Sequence, residues 1–235
     1  MKAFLLAAGL GTRLKPLTNN IPKCLIPING IPLLHIWLDL LESAGIDEVL
    51  INTHYFADKI EKAILGRVNK IKIILYYEKE LKGSGGTIKA NYEFVKDEDD
   101  FFILYSDNLT NVSLQNIWNF HKSKDSIFTT YVYETNVPTQ KGIFTAEPSG
   151  KVISFEEKPT DPKNNLANAG IGVLNKKVFN YIEGDGIIDF GKNVMPKISD
   201  KMYILLTRKY IIDIGTTEDY KAAEIDWHLI NNYKI

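Results

Sequence analysis

The sequence predicts an α/β fold built on a doubly wound sheet, mostly parallel but mixed, with a strand-rich accessory region. In the first half of the chain, short apolar runs alternate with helical patterns of apolar residues, as strands and helices do in α/β proteins. In the second half, several β-rich runs follow one another with few helical patterns between them. The 235 residues, of which 45% are hydrophobic, can bury a large core, so we expect one domain over residues 1–235.

The first half is predicted to contain four strands and three helices. Short apolar or β-rich runs, typical of strands buried in a parallel sheet, occupy residues 3–8, 48–52, 71–77 and 101–105. Between them, apolar side chains recur at helical spacing in residues 31–43, 57–65 and 87–95. Gly45 and Gly66 mark the ends of the first two helices, since glycine readily adopts the backbone conformation that ends a helix. Several glycines precede the third helix and indicate a loop there.

The second half is predicted to be rich in strands. Four runs have the composition of strands, namely residues 127–133, 142–146, 151–155 and 171–174. Ser149 and Gly150 indicate a hairpin turn between the second and third of these strands. Residues 201–214 suggest two more strands, and residues 216–231 a closing helix. The complete pattern predicts one mixed sheet with an accessory region of strands.

Composition disfavours several classes of function. The net charge of −1 argues against a nucleic-acid partner, because nonspecific nucleic-acid binders usually carry a basic excess. No apolar run approaches the roughly 20 residues that cross a bilayer, so we expect no membrane partner. The single cysteine, Cys24, cannot form an internal disulfide, which favours a cytoplasmic location. The apolar residues 3–8 are short for a signal peptide and continue into a basic segment, so we disfavour secretion.

A glycine-rich segment, AAGLGTRLKPLTNNIPKCLIPI, begins at Ala7, directly after the first predicted strand. It matches neither the dinucleotide fingerprint, whose third glycine is replaced by Leu14, nor the P-loop, which needs a Gly-Lys-Ser/Thr run. The glycines alone fit either a tight turn or a phosphate-binding loop. Arg13 and Lys23 favour the second interpretation, since a guanidinium and an ammonium on one loop suit a polyphosphate. We expect Lys23 to follow an extended path after Pro22.

Two aspartates end apolar runs and are candidates for a metal site. Asp107 follows the predicted strand 101–105, so its carboxylate should lie at the carboxyl edge of the sheet, where α/β proteins bind ligands. Asp213 ends the run Tyr210-Ile211-Ile212. Two carboxylates with phosphate oxygens and water suit Mg²⁺, although Asp107 alone would be read as a turn or cap residue. The acidic run 97–100 is interpreted as a solvated turn.

Six segments resemble, in order, the motifs of the sugar-1-phosphate nucleotidylyltransferase family. The glycine segment resembles that family's signature, a Gly-x-Gly-Thr-Arg-Leu-x-Pro-Leu-Thr run followed by Pro-Lys-x-Leu. The others are KGSGG at 82–86, SD at 106–107, FEEKP at 155–159, NAG at 168–170 and DIGT at 213–216. The resemblance spans residues 3 to about 220 and implies a Rossmann-like nucleotidyltransferase core. The short single-domain members that the sequence resembles include guanylyltransferases acting on mannose or heptose 1-phosphate.

The resemblance implies a role for each matched residue. It assigns catalysis to Arg13, Lys23 and Lys158, and Mg²⁺ binding to Asp107 and Asp213. It assigns nucleotide binding to six residues and sugar binding to three. The nucleotide-binding residues are Leu6, Ala8, Gly9, Gly11, Thr12 and Gly83; the sugar-binding residues are Gly142, Glu157 and Asn168. Residues 1–110 would form the nucleotide-binding half and residues 111–235 the sugar-phosphate-binding half. A homodimer is left open.

The implied reaction joins a nucleoside triphosphate to a sugar 1-phosphate, giving an NDP-sugar for polysaccharide or glycan synthesis and releasing pyrophosphate. GTP with mannose or heptose 1-phosphate is the favoured pair, and UTP, dTTP or CTP with another sugar or phosphate monoester is the alternative. A phosphate monoester, with a second pKa of about 6, needs no general base. A non-catalytic regulatory subunit or a glycosyltransferase would also fit a fold of this kind. Asp107-Asn108-Leu109 lacks the Asp-x-Asp motif of a glycosyltransferase.

Some residues depart from the family pattern and leave the shape of the sugar pocket open. Ser106 replaces a glycine, Asn111 and Ser113 replace acidic residues, and Ile212 replaces a tryptophan. The chain also ends soon after the predicted closing helix, without the β-helical acyltransferase domain of some relatives, so we expect a single activity.

Overall fold

The computed structural model describes residues 1–232 and contains thirteen strands and six α-helices, joined by shorter 3-10 and π turns. The strands are β1 (Lys2–Leu6), β2 (Pro27–Ile28), β3 (Ile31–Pro32), β4 (Glu48–Thr53), β5 (Lys72–Tyr77), β6 (Asp100–Tyr105), β7 (Asn108–Thr110), β8 (Phe128–Glu134), β9 (Gly142–Ala146), β10 (Val152–Glu157), β11 (Leu166–Asn175), β12 (Met202–Leu206) and β13 (Ile211–Asp213). The helices are α1 (Leu33–Ser43), α2 (Ala57–Leu65), α3 (Gly83–Ala90), α4 (Tyr92–Val95), α5 (Leu114–Lys122) and α6 (Thr217–Asn232).

Nine of the strands form one mixed sheet. Its parallel part has the order β6-β1-β4-β5, and β11 joins it antiparallel to β6. Strands β8, β9 and β10 add further antiparallel pairings, and β12 pairs parallel with β8. The predicted mixed α/β sheet is therefore confirmed, but the expectation of a mostly parallel sheet holds only for the first half of the chain. Hairpin connections such as the Ser149-Gly150 turn impose antiparallel pairing on the second half.

Apolar cores cover both faces of the sheet. Along β1, Ala3 and Leu5 belong to one core and Phe4 to the other, because successive side chains of a strand point to opposite faces. Helices α1, α2, α5 and α6 contribute to the first core, whereas α3, α4 and the turns after β11 contribute to the second. Burial on both faces explains why the strands of the first half read as unbroken apolar runs. No helix within residues 1–232 is long and apolar enough to cross a membrane.

Several elements differ from the sequence-based expectations. The helix predicted at 87–95 begins four residues earlier, at Gly83, and is interrupted at Asn91, so the glycine segment is helical. The helix predicted at 31–43 is preceded by β3, which pairs with β2 as a small hairpin. Helix α5 was not predicted, and Ser113 is its N-cap, where it accepts a hydrogen bond from the Asn116 N–H at 3.2 Å.

The carboxyl edge of the sheet gathers the loops that matter for function. Strand β1 ends at Leu6 and β6 at Tyr105, and the two are parallel neighbours. After β6, a tight turn at Ser106 and Asp107 leads into β7, which pairs antiparallel with β13. In that pairing Asp213 lies opposite Asn108. Two segments remote in the sequence therefore meet at this edge.

Candidate active site

The loop after β1 is shaped by its second glycine. Gly11 has a φ of +62°, and a Cβ there would lie 2.9 Å from Cγ2 of Thr18. The Thr18 hydroxyl also donates a hydrogen bond of 2.7 Å to the Gly11 carbonyl. The requirement for glycine at position 11 therefore comes from the packing of the loop on itself. Gly9 has no such neighbour and is exposed.

One cavity, of about 340 Å³, lies beside this loop and is called the glycine-loop cavity. Of the residues predicted for the site, it is lined by Leu6, Ala8, Gly9, Lys23, Gly83 and Asp107. Gly11 and Thr12, predicted as nucleotide-binding residues, are not among its lining residues; Thr12 begins a 3-10 turn that ends at Leu14. The lining also includes Asn52, Glu78 and Tyr105, which the motifs did not indicate.

A buried glutamate, Glu78, lines the glycine-loop cavity. Glu78 is 1% exposed, and its carboxylate accepts hydrogen bonds from Asn52 Nδ2 at 2.9 Å, from the Thr87 hydroxyl, and from the Lys82 N–H at 3.0 Å. Asn52 in turn accepts a hydrogen bond of 2.7 Å from the Ala7 N–H. This network links the end of β4 to the glycine loop and to α3. Because Asn52 lies 45 positions from Ala7 and 26 positions from Glu78, local sequence patterns could not reveal this network.

Helix α3 packs closely on the segment that follows residue 186. The N–H groups of Gly85 and Gly86 donate to the carbonyl of Ile188 at 2.8 and 3.1 Å, and the Phe190 N–H donates to the Ser84 hydroxyl at 2.8 Å. A Cβ at Gly83, whose φ is +73°, would lie 2.5 Å from the Ile188 oxygen. The glycines that were expected to mark a loop instead permit this close approach of backbone to backbone.

The two predicted metal ligands meet on a predicted catalytic lysine. Lys23 Nζ lies 2.7 Å from Oδ2 of Asp107 and 3.4 Å from Oδ1 of Asp213. A second lysine, Lys141, lies on the other side of Asp213, with its Nζ 2.9 Å from Oδ2. Burial opposes ionisation of Asp213, but the charges of Lys23 and Lys141 outweigh it and hold the pKa of this carboxyl below its usual value. Lys141 was not predicted, because it lies outside the six motifs.

The backbone of Lys23 differs from the prediction. It begins a 3-10 turn that ends at Leu25, whereas an extended path was expected. Pro22 is itself extended, with a ψ of 152°, and precedes the turn. The prediction was wrong because proline restricts its own backbone and that of the residue before it, and leaves the next residue free to turn.

The paired carboxylates have the chemistry of a Mg²⁺ site. Asp107 and Asp213 supply hard oxygen donors that already converge on one cationic group, the ammonium of Lys23. Within residues 1–232 there is no cluster of three or more His, Cys, Asp or Glu side chains placed to hold a metal. Two protein carboxylates are nevertheless a fitting donor set, because Mg²⁺ retains water and binds substrate phosphates.

A second cavity, of about 380 Å³, adjoins the first and is called the Lys158 cavity. The remaining predicted residues line it, namely Arg13, Gly142, Glu157, Lys158, Asn168 and Asp213. Lys158 has a φ of +51°, and its N–H donates to the carbonyl of Lys141 at 3.0 Å. Burial raises the pKa of Glu157, and the charges nearby have smaller effects on it.

Three residues, Tyr105, Asp107 and Asp189, line both cavities, so the two spaces meet at the carboxylate pair. Each cavity is lined by residues from both the 1–110 and the 111–235 parts of the chain. A larger cavity of about 430 Å³ lies at the opposite edge of the sheet, around Asp100. We assign the site to the two smaller cavities because they contain the glycine loop, the lysines and the converging carboxylates.

The residues that depart from the family motifs have identifiable neighbours. The Ser106 hydroxyl donates to the Leu6 carbonyl at 2.8 Å, which joins the ends of β6 and β1. Asn111 accepts a hydrogen bond of 3.0 Å from the Tyr210 N–H and so extends the pairing of β7 with β13. Ile212 lines the Lys158 cavity. Two of these departures are thus explained by local structure.

The acidic run at 97–100 was expected to be a solvated turn, and one of its members is not. Asp97 and Asp99 are exposed, but Asp100 begins β6 and is 6% exposed. Its carboxylate is bonded to Lys122, Asn175 and His121. The prediction was wrong for Asp100 because these partners come from distant segments.

Comparison with known proteins identifies the family. A model described as nucleotidyl transferase matches residues 2–228. A UTP--glucose-1-phosphate uridylyltransferase from Synechocystis is 31% identical over 95% of this chain, which spans 62% of that protein's length. A D-glycero-alpha-D-manno-heptose 1-phosphate guanylyltransferase from Campylobacter jejuni is 34% identical over 99% of this chain and 100% of its own.

Solved structures agree with this comparison. The crystal structure of HddC from Yersinia pseudotuberculosis is 26% identical, with a TM-score of 0.81 over 96% of this chain and 99% of its own. The same protein complexed with GMP-PN gives a TM-score of 0.80 at 27% identity, again over 96% of this chain and 99% of its own. The fold, the ordered motifs and the family match lead to one conclusion: this chain belongs to the nucleotidyl transferase family.

Proposed function

We propose that this protein transfers a nucleotidyl group from a nucleoside triphosphate to a sugar 1-phosphate, forming an NDP-sugar and pyrophosphate. The observation that carries the proposal is the junction of two cavities at Asp107, beside Lys23 and Asp213. The glycine-loop cavity would hold the nucleotide, and the Lys158 cavity the sugar phosphate. Their junction would then be the point at which the two phosphates meet.

The reaction needs charge neutralisation more than proton transfer. The attacking oxygen belongs to a phosphate monoester whose second pKa is about 6, so it is largely ionised at neutral pH. The barrier comes from repulsion between two anions and from their alignment. Lys23 would neutralise charge near the α-phosphorus, and Arg13 would stabilise the leaving pyrophosphate. Lys158 would hold the incoming phosphate for in-line attack.

Asp107 and Asp213 would hold Mg²⁺, which supplies further neutralisation of phosphate charge when it is bound. The ammonium of Lys23 between these carboxylates supports this assignment, because the pair already attracts a cation. Leu6, Ala8, Gly9 and Gly83 would contact the nucleotide. Gly11 and Thr12 would act on it indirectly, by fixing the path of the loop.

The favoured triphosphate is GTP. Glu78 is an acceptor-only group in the glycine-loop cavity, and each of its oxygens can accept more than one hydrogen bond. Guanine presents hydrogen-bond donors on its pairing edge, including its exocyclic amine, which suits a carboxylate. The relatives named as guanylyltransferases and the GMP-PN complex of HddC support the same choice. UTP, dTTP and CTP are the alternatives.

Mannose or heptose 1-phosphate is the favoured acceptor. The support is the name of the full-length relative, a heptose 1-phosphate guanylyltransferase. Glu157, Asn168 and the Gly142 backbone would contact the sugar hydroxyls. Asn168 is held in place by the Thr130 hydroxyl, which donates to its Oδ1 at 2.9 Å. A Cβ at Gly142 would lie 2.7 Å from Oε2 of Glu157, so this position keeps the carboxylate accessible.

The proposal is tested by measuring pyrophosphate release with GTP, UTP, dTTP and CTP, each combined with a panel of sugar 1-phosphates and Mg²⁺. We expect release with at least one pair and the highest kcat/KM for GTP with mannose or heptose 1-phosphate. Pyrophosphate release with a different pair would support the proposed reaction but would show that the proposed substrates are wrong. Absence of release with every pair, together with measurable nucleotide binding, would indicate a regulatory subunit. Consumption of an NDP-sugar would indicate a glycosyltransferase.

A further inference from the structure

Lys141 is a charged residue in the Lys158 cavity for which the family motifs provide no role. It follows the 3-10 turn Pro138–Gln140 and directly precedes β9. Its side chain is 22% exposed, and its Nζ lies 2.9 Å from Oδ2 of Asp213. The ammonium group is therefore largely removed from bulk water and held beside the junction of the two cavities.

The charge balance of the Lys158 cavity makes this lysine important. The cavity is lined by five carboxylate side chains and three cationic ones, the latter being Arg13, Lys141 and Lys158. A sugar 1-phosphate that carries nearly two negative charges would be repelled by such a lining. The repulsion falls where a carboxylate is already paired, and Lys141 pairs with Asp213, which also lines this cavity.

The strand register brings Lys141 and Lys158 to the same end of one ladder. Gly142 of β9 lies opposite Glu157 of β10, so Lys141 and Lys158 face each other one position beyond. The hydrogen bond from the Lys158 N–H to the Lys141 carbonyl continues the ladder to this pair. Both lysines lie just beyond the strands, and two like charges on facing residues repel each other unless an anion compensates them. Asp213 compensates one of the two lysines.

We propose that Lys141 is an acceptor-binding residue, whose ammonium group holds the phosphate of the sugar 1-phosphate together with Lys158. The inference rests on the proposed function, because it deepens the assignment of the acceptor site. A phosphate monoester fits this arrangement, because its oxygens can accept charge-assisted hydrogen bonds from both ammonium groups. A purely structural role, in which Lys141 neutralises Asp213 only, predicts a different kinetic result.

The test compares the KM values of the two substrates. Lys141→Met removes the charge and keeps the length of the side chain, Lys141→Arg restores a cation, and Lys177→Met is the matched control. Lys177 is exposed and lies two residues after the end of β11. The last residue of β11, Asn175, pairs with Asp100 at the edge of the sheet opposite the two cavities. In initial-rate assays, we expect Lys141→Met to raise the acceptor KM at least about tenfold and the triphosphate KM less than about twofold.

The remaining variants complete the kinetic test. Lys141→Arg should recover most of the acceptor affinity, and Lys177→Met should match the wild type. An unchanged acceptor KM in Lys141→Met, or equal increases in both KM values, would overturn the inference and favour the structural role. If Lys141→Met fails to fold, Lys141→Gln is assayed in its place, with the same expectations.

Calorimetry gives a readout that does not depend on turnover. Each variant is first saturated with a non-hydrolysable analogue of the triphosphate. The sugar 1-phosphate that serves as acceptor in the initial-rate assays is then titrated into it. We expect a Kd increase of about tenfold or more in Lys141→Met and little change in Lys177→Met. Equal Kd values would overturn the inference. If the wild type releases no pyrophosphate with any pair, the proposed reaction fails, and this titration still tests the binding role.

Discussion

At the level of single residues, the site depends on one ammonium group placed between two carboxylates. Lys23 lies 84 positions from Asp107 and 190 positions from Asp213 in the sequence. Asp107 lies in the turn between β6 and β7, and Asp213 ends β13. Because β7 pairs with β13, the fold brings both carboxylates to one edge. Each charge is paired in the free protein, which offsets the cost of partial burial. When substrate and Mg²⁺ bind, phosphate oxygens would replace the carboxylates as partners of Lys23, and Mg²⁺ would replace Lys23 as the partner of the carboxylates.

The first prediction concerns Asp107. Asp107→Asn keeps the size of the side chain but removes the negative charge that Lys23 contacts at 2.7 Å. We expect the kcat of pyrophosphate release to fall at least about a hundredfold, because charge neutralisation at the reacting phosphates would be lost. The apparent Tm should change little, since the Asp107 side chain is 37% exposed. The assay is pyrophosphate release over a series of Mg²⁺ concentrations.

Asp97→Asn is the control for this prediction, because Asp97 is an exposed aspartate in the loop before β6. It should have wild-type activity at every Mg²⁺ concentration. If Asp107→Asn retained full activity and an unchanged dependence on Mg²⁺, the assignment of Asp107 as a metal ligand would be wrong.

At the level of secondary structure, α3 shows how glycines can serve a helix. Gly83 begins the helix with a positive φ, and Gly85 and Gly86 let the backbone at Ile188 come within hydrogen-bonding distance. Gly83 and Ile187, which adjoin that backbone contact, line the glycine-loop cavity. The shape of the nucleotide site would therefore depend on the absence of side chains at the start of α3.

The second prediction concerns this contact. Gly83→Ala would place a Cβ 2.5 Å from the Ile188 oxygen, at a φ of +73° that alanine rarely adopts. We expect the free energy of unfolding to fall by about 2–4 kcal/mol, because steric overlap adds to backbone strain. The KM for the triphosphate should also rise, since the cavity wall moves. Chemical denaturation and initial-rate kinetics measure the two effects.

Gly184→Ala separates the two contributions. Gly184 has a φ of +84°, but no heavy atom lies within 4 Å of the point that a Cβ would occupy, so only backbone strain applies. We expect a loss of about 1 kcal/mol and an unchanged triphosphate KM. Equal losses in both variants would show that contact with Ile188 does not matter.

The elements that could be predicted are those whose signals are local. Helix α2 was predicted with its observed bounds, because its apolar spacing and the following Gly66 are both local features. Strands β1, β4 and β6 were found from their apolar runs. Helix α3 was placed too late because its glycines resemble a loop. In each case the outcome follows from how far apart the interacting residues lie in the chain.

The candidate site shows the same limit. The motif residues line two adjoining cavities, with the exceptions of Gly11 and Thr12. The Glu78 network and Lys141 were not predicted, because they depend on contacts between segments. Lys141 and Asp213 are 72 positions apart and belong to no common motif. Asp100 was misjudged for the same reason.

At the level of the whole molecule, the candidate site and a buried cluster of charged residues lie at opposite edges of the sheet. Strand β6 begins at Asp100 and ends at Tyr105, beside the junction of the two cavities. At its beginning, the Asp100 carboxylate lies 3.1 Å from His121 Nε2, 2.5 Å from Lys122 Nζ and 2.7 Å from Asn175 Nδ2. The cluster joins β6 to α5 and β11. Stability and catalysis should therefore respond separately to changes at the two ends of β6.

The last prediction tests this separation through Asp100. Burial opposes ionisation of Asp100, but hydrogen bonds from His121, Lys122 and Asn175 outweigh it and hold the pKa of this carboxyl well below its usual value. A carboxyl whose pKa is lower in the folded than in the unfolded chain stabilises the fold above its unfolded pKa, about 3.9. This contribution is lost as the pH falls below that value towards the folded pKa.

Asp100→Asn should therefore lower the free energy of unfolding by about 2 kcal/mol at pH 7, or the Tm by about 4–8 °C. The difference from the wild type should shrink as the pH falls below about 4. Asp99→Asn, at the exposed neighbouring position, should not change the Tm measurably. Thermal unfolding across pH and kinetics at pH 7 provide the measurements. A pH-independent difference would contradict the electrostatic explanation, and altered KM values would contradict the separation, because the site lies at the other end of β6.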